Sequence, residues 1–533
     1  MRRIVLCAAL TTVIVGCPGD DKPPPTDARL GDSLSLASIE ITPAEQSLEV
    51  TLAGGQQASF EATGIKADGD RVPLAGVAAW TVDEPTKGSV KGGMFTAKGV
   101  GGVVTVRATA GGVSTTATLN LMLRDQIAED GLSATDRAKL DAATSTGAEA
   151  ATLLYPEDGT MIPPNLAPMH FQWTEGPAAD AIYRVTFKNG VADVSYDTSK
   201  EDWRPPLDVW TALLESGKGD SFQIELRSVS RAGGQLYAAA VLTLEISTVP
   251  LSGTIYYWAT GKREDLKNGI MRLAFDTPEA TDYFSEATSG TGRCVGCHAL
   301  SRDGTKMMLV EYDEVFTNYM VGLEVSSKQR TLAQDTHQGD FFTFSPNSIE
   351  LVSSLQGTLT RRQTSDGQLI ETLDFAGQKA SHPDWSADGS KLALVLYPTK
   401  YDDDYHFCGG SVAIHDWQQD TTTTLVNSTG DDDNNYYPVI SPDGAFVVFN
   451  KSGSPNPLSN NDCGLYANPG AELFIVASSG GAPLRLDHAN GKVARVNNSW
   501  AKWAPAGSSD EVWWLAFSSM RDYGSLLQNS KMP

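Results

Sequence analysis

One short string in this chain combines residue types and a spacing that suit a specific chemistry. It reads Cys294-Val295-Gly296-Cys297-His298. Two thiols three residues apart can form thioethers with both vinyl groups of one haem, and the adjacent imidazole can bind the iron below the ring. With six Cys and seven His among 533 residues, coincidence explains the string poorly. The alternatives are a tight local disulfide, a free dithiol or a zinc site, and zinc would need two further ligands that no partner motif supplies.

The string resembles the haem-attachment site of c-type cytochromes. The resemblance implies a covalent haem on Cys294 and Cys297, with His298 as the proximal iron ligand. The sixth iron position then needs a side chain from a loop on the same face of the fold. Four imidazoles and one weaker thioether are candidates: His337, His382, His406, His488 and Met320. Met307 and Met308 are poorer candidates, because both fall within an apolar strand pattern.

A second cysteine pair occupies equivalent positions of an internal repeat. Cys408 and Cys463 each follow the glycine of a turn motif, Gly389 or Gly444, by nineteen residues. Loops at equivalent positions of successive repeats can meet. We therefore expect a Cys408–Cys463 disulfide in an oxidising compartment, with two unpaired thiols as the alternative.

Two acidic runs flank these cysteines in the sequence. Asp402-Asp403-Asp404 and Asp431-Asp432-Asp433 offer carboxylate oxygens that suit calcium, but neither run has the alternate-position spacing of a calcium loop. We expect a solvated acidic rim instead. The chain also lacks the spacing of a Ser-His-Asp triad, a phosphate-binding loop or a paired-carboxylate motif, so hydrolase and transferase chemistry have no motif to support them.

The elements that must position these residues belong to a repeat. Five segments share an apolar residue, a tight-turn tetrapeptide and a following apolar strand; they begin at Leu300, Phe344, Trp385, Ile440 and Trp503. Four strands per unit, repeated about every 40 to 60 residues, describe propeller blades. The segments Trp385-Ser386-Ala387-Asp388-Gly389 and Ile440-Ser441-Pro442-Asp443-Gly444 resemble the WD40-like repeats of TolB-type proteins. This resemblance implies a five- or six-bladed β-propeller over residues 251–533. Its last blade could be completed by two strands from the start of this region, Thr254 to Trp258 and Gly269 to Phe275.

Two β-sandwich modules are predicted before the propeller, so the expected fold is all-β. Residues 36–123 alternate in short β-branched stretches separated by glycine. They resemble the bacterial Ig-like group 2 domain at positions that follow that family's order: Ile41, Pro43, Phe60, Ala62, Trp80, Gly88, Val90, Phe95, Ala97, Gly101, Gly102, Val106 and Ala108. Residues 153–250 contain a second set of alternating strands and loosely resemble a fibronectin type III or Ig-like module. We interpret residues 124–152 as a linker with one short helix.

The N-terminus has the pattern of an export signal. Arg2 and Arg3 precede a short apolar run, and Ile14-Val15-Gly16-Cys17 resembles the lipobox of bacterial lipoproteins. The resemblance implies cleavage between Gly16 and Cys17 and lipidation of Cys17. The protein would then be anchored in the cell envelope, at the outer membrane or the cell surface. Residues 18–35 then form a flexible tether. A plain secretory signal with an incidental cysteine is the alternative.

Composition and charge narrow the choice of partners. The chain has 41 basic and 65 acidic residues, and its net charge of -24 opposes binding to nucleic acid and to anionic membrane surfaces. The leading hypothesis is a lipid-anchored propeller with one c-type haem that transfers electrons or senses redox state. The alternative is a non-catalytic propeller that docks a periplasmic or surface protein or a glycan, with the cysteine string structural. Enzymatic activity would require a haem peroxidase-like reaction.

Overall fold

The described residues form an all-β fold with three short helices. The computed structural model describes residues 35–142, 145–149, 151–176, 178–233, 236–259, 268–275, 277, 279–401, 403–453, 463–466, 468–491, 497–505 and 512–526. Cys17, the signal peptide, Asp402 and nearly all of the predicted tether lie outside these residues. The chain divides into two compact units, with the boundary between Leu121 and Met122. Of the helices in the described ranges, none has the length and apolar character needed to cross a membrane.

The first unit is a β-sandwich, as the sequence predicts. Its strands are β1 (Ser38–Thr42), β2 (Glu45–Val50), β3 (Gln57–Ser59), β4 (Glu61–Ile65), β5 (Arg71–Pro73), β6 (Ala79–Val82), β7 (Gly88–Lys91), β8 (Met94–Ala97), β9 (Gly102–Ala110) and the first part of β10 (Val113–Ala128). Antiparallel ladders join β4 to β1 and β5, β8 to β3 and β7, and β9 to β6 and β10. A Cβ at Gly88 would lie 2.1 Å from the ring of buried Phe95, so this strand crossing needs glycine.

The second unit begins with another sandwich. Its elements are α1 (Ala134–Ala142), β11 (Ser145–Glu149), β12 (Leu153–Tyr155), β13 (Thr160–Ile162), β14 (Phe171–Trp173), β15 (Ala181–Lys188), β16 (Ala192–Thr198), β17 (Asp202–Trp203), α2 (Leu207–Gly217), β18 (Ser221–Ser230) and β19 (Leu236–Ile246). One sheet has the order β11-β19-β18-β15-β16, and β12, β14 and β17 form the other. Edge-to-face contacts of Phe171 with Phe187 and Trp210 form the aromatic core between these elements.

The segment interpreted as a linker is instead part of this sandwich. Residues Leu123–Ala128 pair in parallel with Ala192–Asp197 of β16, and α1 follows as a short helix. The cause is a fully buried carboxylate: Asp197 accepts hydrogen bonds from Arg184 at 2.6 Å and from Arg137 at 3.1 Å. A buried charge with two guanidinium partners needs fixed neighbours, so the segment is ordered.

The second sandwich also packs directly on the last residues that the structure describes. Gln172 is fully buried, and its side-chain oxygen accepts hydrogen bonds from the backbone N–H groups of Ser525 and Leu526, at 2.9 and 3.1 Å. The rings of Tyr155 and Tyr523 meet edge to face with centroids 4.6 Å apart. This sandwich is therefore a packed neighbour of the propeller.

Six antiparallel sheets follow, each with its strands in sequence order. They are β20 (Thr254–Ala259), β21 (Gly269–Ala274), β22 (Thr281–Ser285); β23 (Cys294–Leu300), β24 (Lys306–Tyr312), β25 (Asn318–Glu324); β26 (Phe342–Phe344), β27 (Glu350–Leu355), β28 (Thr358–Gln363), β29 (Leu369–Thr372); β30 (Lys379–Trp385), β31 (Lys391–Tyr397), β32 (Ser411–Asp416), β33 (Thr421–Val426); β34 (Asn434–Ile440), β35 (Phe446–Ser452), β36 (Glu472–Ala477), β37 (Leu484–Arg485); and β38 (Ser499–Trp503), β39 (Leu515–Ser518), with α3 (Asp487–Asn490) before the last. Successive four-stranded meanders of this kind are propeller blades. In the described residues β20 and β21 pair with β22 in a sheet of their own, and no ladder joins them to β38 or β39.

The turn tetrapeptide has the same hydrogen bonds in four blades. In the fourth sheet, the Ser386 hydroxyl donates to Asp388 at 2.6 Å and accepts the Lys391 N–H at 2.9 Å, while Asp388 also accepts the Ser390 N–H at 3.0 Å. The serines with the equivalent contacts are Ser301, Ser345 and Ser441. The fourth turn residue has positive φ, which explains the glycine there, and Ser348 occupies it with φ 59°.

In two blades, the side chain two residues before the turn serine connects successive inner strands. Thr343 accepts the Trp385 N–H at 3.0 Å, and Asp384 accepts the Ile440 N–H at 2.8 Å. Asp384 also faces the Lys502 ammonium at 3.6 Å. These contacts order the inner strands β26, β30, β34 and β38 side by side around one axis.

Removing one turn hydroxyl should destabilise its blade. Ser386→Ala removes the partner of the Lys391 N–H and one of the donors to Asp388, so we expect a loss of about 1 to 2 kcal/mol in the free energy of unfolding. The measurement is chemical denaturation of the full chain beside Ser479→Ala, an exposed serine in another turn. Equal stability of the two variants would contradict this role of the turn serine.

Candidate functional site on the propeller axis

A β-bulge near the start of four inner strands turns one side chain toward the axis, and a fifth axial side chain occupies the equivalent repeat position. The residue lies four positions before the turn serine or its equivalent, which selects Cys297, Phe341, His382, Tyr437 and Trp500. The strand register shifts at this position in β23, β30, β34 and β38. His382, Tyr437 and Trp500 have left-handed backbone, with φ of 51°, 50° and 58°. Bulky residues seldom adopt this conformation, so the surrounding fold imposes it.

The axial rings form a closed circle of contacts. Ring centroids lie 4.4 Å apart between Phe341 and His382, 4.4 Å between His382 and Tyr437, 3.9 Å between Tyr437 and Trp500, and 5.9 Å between Trp500 and Phe341. Cys297 packs against the same cluster. The axis of the propeller is therefore closed by the protein's own side chains, and Cys297 is the member that the second sheet contributes.

The insert of residues 398–410, between β31 and β32, covers this circle, and we call it the lid. The Tyr405 hydroxyl lies 3.1 Å from the Cys297 Sγ and 3.1 Å from the Tyr312 hydroxyl. The carbonyl of Asp404 accepts a hydrogen bond from His382 Nε2 at 3.1 Å. Fully buried Phe407 stacks on the ring of Tyr397 in β31, with the ring centroids 4.1 Å apart. These contacts place the lid where the inner strands begin.

A disulfide fastens the lid to the next blade. Cys408 and Cys463 are bonded, with Cα atoms 4.9 Å apart, as expected from their equivalent positions in the repeat. An antiparallel bridge pairs His406 with Gly464, and the Leu465 N–H donates to the Tyr405 carbonyl at 3.0 Å. The lid is thus held from two sides. Residues 455–461, which the repeat pattern predicts to be a long insert of that blade, lie outside the described residues.

We call the side of the propeller that carries the lid the insert-bearing face. The inner strands begin on this face, and so does the short loop of residues 313–317 that follows β24. Tyr312, the residue before this loop, fixes the loop's location, because it pairs with Cys294 at the start of β23 and contacts Tyr405 of the lid. The face is therefore built from loops that contact one another through buried side chains.

Two buried carboxyl groups meet at the lid: Asp340, which precedes β26, and Asp404, which belongs to the lid itself. Burial, together with the nearby charge of Asp404, raises the pKa of Asp340 to about 7. Burial also raises the pKa of Asp404, although its Oδ1 accepts hydrogen bonds from the Tyr397 hydroxyl at 2.7 Å and the Gly357 N–H at 2.8 Å. The second oxygen of Asp404 and Nδ1 of His382 are buried without a partner. Burial therefore favours the neutral forms of the Asp340 and Asp404 carboxyl groups and of the His382 ring.

The string Cys294 to His298 does not fit a covalent haem in this arrangement. His298 Nε2 lies 3.0 Å from the Tyr256 carbonyl, which can only accept, so this nitrogen carries a proton and has no lone pair for iron. The Cys297 thiol faces Tyr405 and Tyr312, whereas the Cys294 thiol faces Asn268 and Glu286. The two thiols share none of these neighbours and belong to a strand paired with β24. No haem contact is therefore derived, and the haem prediction stays a prediction.

The candidates for a sixth iron ligand are dispersed. His382 lies on the axis, where burial lowers its pKa to about 3. His337 contacts the Asp366 carbonyl at 2.9 Å, His406 pairs with Asp403 at 2.7 Å, and His488 lies in α3. The three methionines Met307, Met308 and Met320 are core residues. Across the described residues, no three His, Cys, Asp or Glu side chains form a cluster that could hold a metal ion, and the described Asp403, Asp404 and Asp431–Asp433 are included in that statement.

The sequence contains a repeat signal for the axial residues, and the Cys-x-x-Cys-His motif overlaps one of its positions. Aligning the five repeats on the turn serine places Cys297 with Phe341, His382, Tyr437 and Trp500, four residues with rings. Cys297 is thus explained by its repeat position, and the adjacent His298 is the next residue along the strand. The lid residues Asp404 and Tyr405 have no such repeat signal, because their insert is absent from the equivalent turn of the third blade at Gln356-Gly357.

Together the sheets and the axis define a β-propeller that is preceded by two β-sandwiches. No protein-family model and no curated protein matches the chain. A solved structure described as a putative TolB from Agrobacterium tumefaciens is similar over 46% of this chain and 76% of its own, with 14% identity and a TM-score of 0.32. The GH74 enzyme of Niastella koreensis is similar over 44% of this chain and 36% of its own, with 12% identity and a TM-score of 0.31. Likeness this weak carries no functional inference.

The pKa of Asp340 predicts a specific pH dependence. Because its folded value of about 7 exceeds the ordinary 3.8, the folded chain retains a proton that the unfolded chain releases. Its contribution to the free energy of unfolding is therefore lost as the pH rises through this interval. Asp340→Asn should raise Tm by several degrees at pH 8 and change it little at pH 4.

The buried His382 has the opposite slope, since its lowered pKa removes stability as the pH falls below 6.5. Thermal melts of wild type and variant across pH 4 to 8 separate the two effects, and exposed Asp374→Asn is the matched control. A constant Tm difference between wild type and Asp340→Asn at every pH would contradict the assignment.

Proposed function

We propose that this chain is a non-catalytic binding protein whose propeller docks a partner protein on the insert-bearing face. The observation that carries the proposal is the closed axis: five axial side chains and the disulfide-fastened lid occupy the centre of this face. Among the described residues, these side chains fill the axis at this end through ring contacts. What remains is a broad surface of loops held in fixed positions, which suits recognition of another folded surface.

The proposal includes export and anchoring through lipid on Cys17. The lipobox resemblance supports anchoring, and the Cys408–Cys463 disulfide supports an oxidising compartment, because such bonds persist outside the cytoplasm. The net charge of -24 argues against nucleic acid and anionic lipid as the docked partner. We therefore propose a protein partner in the cell envelope.

Electron transfer through a c-type haem is the second hypothesis. It depends on the spacing of Cys294, Cys297 and His298 alone, since the contacts of these residues favour a structural role. A peroxidase-like activity would depend on the same haem. Docking needs neither, and it uses the features of the insert-bearing face that the haem hypothesis leaves unexplained.

A photo-crosslinking residue, benzoylphenylalanine, tests which face docks the partner. It replaces exposed Lys400 of the lid in one full-length variant and exposed Ser479, in a turn on the opposite face, in the other. Irradiation of the cells that naturally produce the protein should give a discrete protein adduct from position 400 and none from position 479. Adducts from neither position, or equal adducts from both, would overturn docking on the insert-bearing face.

A further inference from the structure

The loop of residues 313–317 exposes two large apolar side chains side by side. Val315 is 79% exposed and Phe316 is 82% exposed. Both values exceed those of every other large apolar side chain among the described residues. Isolated exposed apolar residues are ordinary on protein surfaces, but two adjacent ones at the tip of a loop form a protruding apolar surface. We call this pair the knob.

The loop holds the knob rigidly. The Asp313 carboxylate accepts the backbone N–H groups of Val315 at 3.0 Å and Thr317 at 2.7 Å, and the Asp313 carbonyl accepts the Phe316 N–H at 3.0 Å. These bonds fix the backbone on both sides of the tip. A fixed loop loses little conformational entropy on binding, so an apolar tip of this kind is preorganised for docking.

Phe316 occupies a backbone conformation that disfavours it. Its φ is 61°, in the left-handed region that glycine adopts readily and in which a bulky residue is strained. The residue thus combines strain with exposure of a large ring, and neither stabilises the isolated chain. Strain of this kind concentrates where a residue serves binding rather than folding.

The surroundings of the knob are acidic. Asp313 accepts a hydrogen bond from the Thr317 N–H, which lowers the pKa of its carboxyl and keeps it ionised. Glu314 is exposed and has no ion pair in the described part of the chain. An acidic flank repels an anionic bilayer and favours a partner surface that carries Lys or Arg. The cation nearby, Arg293, is already paired with Asp335.

We propose that Val315 and Phe316 insert into an apolar pocket, rimmed by basic residues, on the partner protein. The inference rests on the proposed function, because the knob lies on the insert-bearing face, and it names the chemistry of the partner's surface. Aromatic anchors in desolvated pockets provide most of the binding energy of many interfaces, while charged rims steer the encounter. Glu314 and Asp313 provide such a rim here.

The test places benzoylphenylalanine at position 316 of the full chain, with exposed Phe446 near the opposite-face turns as the matched position. We expect a protein adduct from position 316, none from position 446, and a partner peptide from an apolar pocket flanked by Lys or Arg. Glu314→Lys should lower the adduct yield by about tenfold. An adduct from position 400 without one from position 316 would overturn the knob and leave the proposed function standing.

Glycine at position 316 separates docking from folding. Phe316→Gly relieves the left-handed strain, so Tm should stay constant or rise, while crosslinking from position 400 should fall about tenfold or more. Unchanged crosslinking would overturn the inference. Flotation of the full-length Cys17→Ser variant with phosphatidylcholine vesicles covers the remaining occupant, since flotation that requires Phe316 would assign the knob to lipid and overturn the protein partner.

Discussion

The bulge at the start of the inner strands β23, β30, β34 and β38 is the constraint on which the rest of the propeller depends. A regular strand alternates its side chains between the two faces of a blade, and neither direction leads to the propeller axis. A bulge adds one residue, and left-handed backbone at His382, Tyr437 and Trp500 turns that residue inward. Strain repeated in three blades is offset by the ring contacts that it makes possible, down to 3.9 Å between Tyr437 and Trp500.

The lid follows from this arrangement. A circle of rings leaves polar edges exposed at the start of the strands, and the lid supplies partners for some of them. The Asp404 carbonyl meets His382 and the Tyr405 hydroxyl meets Cys297, while the disulfide at Cys408 keeps the insert in place. The buried carboxyl of Asp340 is the consequence of closing such a site, because a lid that excludes water makes its charge costly.

Much of the fold was predictable because its signals are local. The turn tetrapeptide states its own hydrogen bonds, and the equivalent positions of Cys408 and Cys463 predicted that their loops would be neighbours. The bulge was not predictable in the same way, since it depends on the register between strands, which no single residue type encodes. The segment around Asp197 was missed for a similar reason: its guanidinium partners lie far apart in sequence and only the folded chain brings them together.

The Cys-x-x-Cys-His string has two competing explanations. Its residue types suit haem attachment, yet the repeat assigns Cys297 to the axis and the Tyr256 carbonyl engages His298. The knob, by contrast, has no sequence signal, because neither composition nor periodicity indicates the exposure and backbone strain of Phe316.

The most direct measurement is the covalent state of Cys294 and Cys297 in the exported protein. The full chain, produced with a cytochrome c maturation system, is denatured, alkylated and weighed as the intact protein, and its absorption spectrum is recorded beforehand. We predict alkylation of both thiols, a mass without haem and no Soret band. A haem that survives denaturation and blocks alkylation of both cysteines would contradict the structural role of Cys297 on the axis.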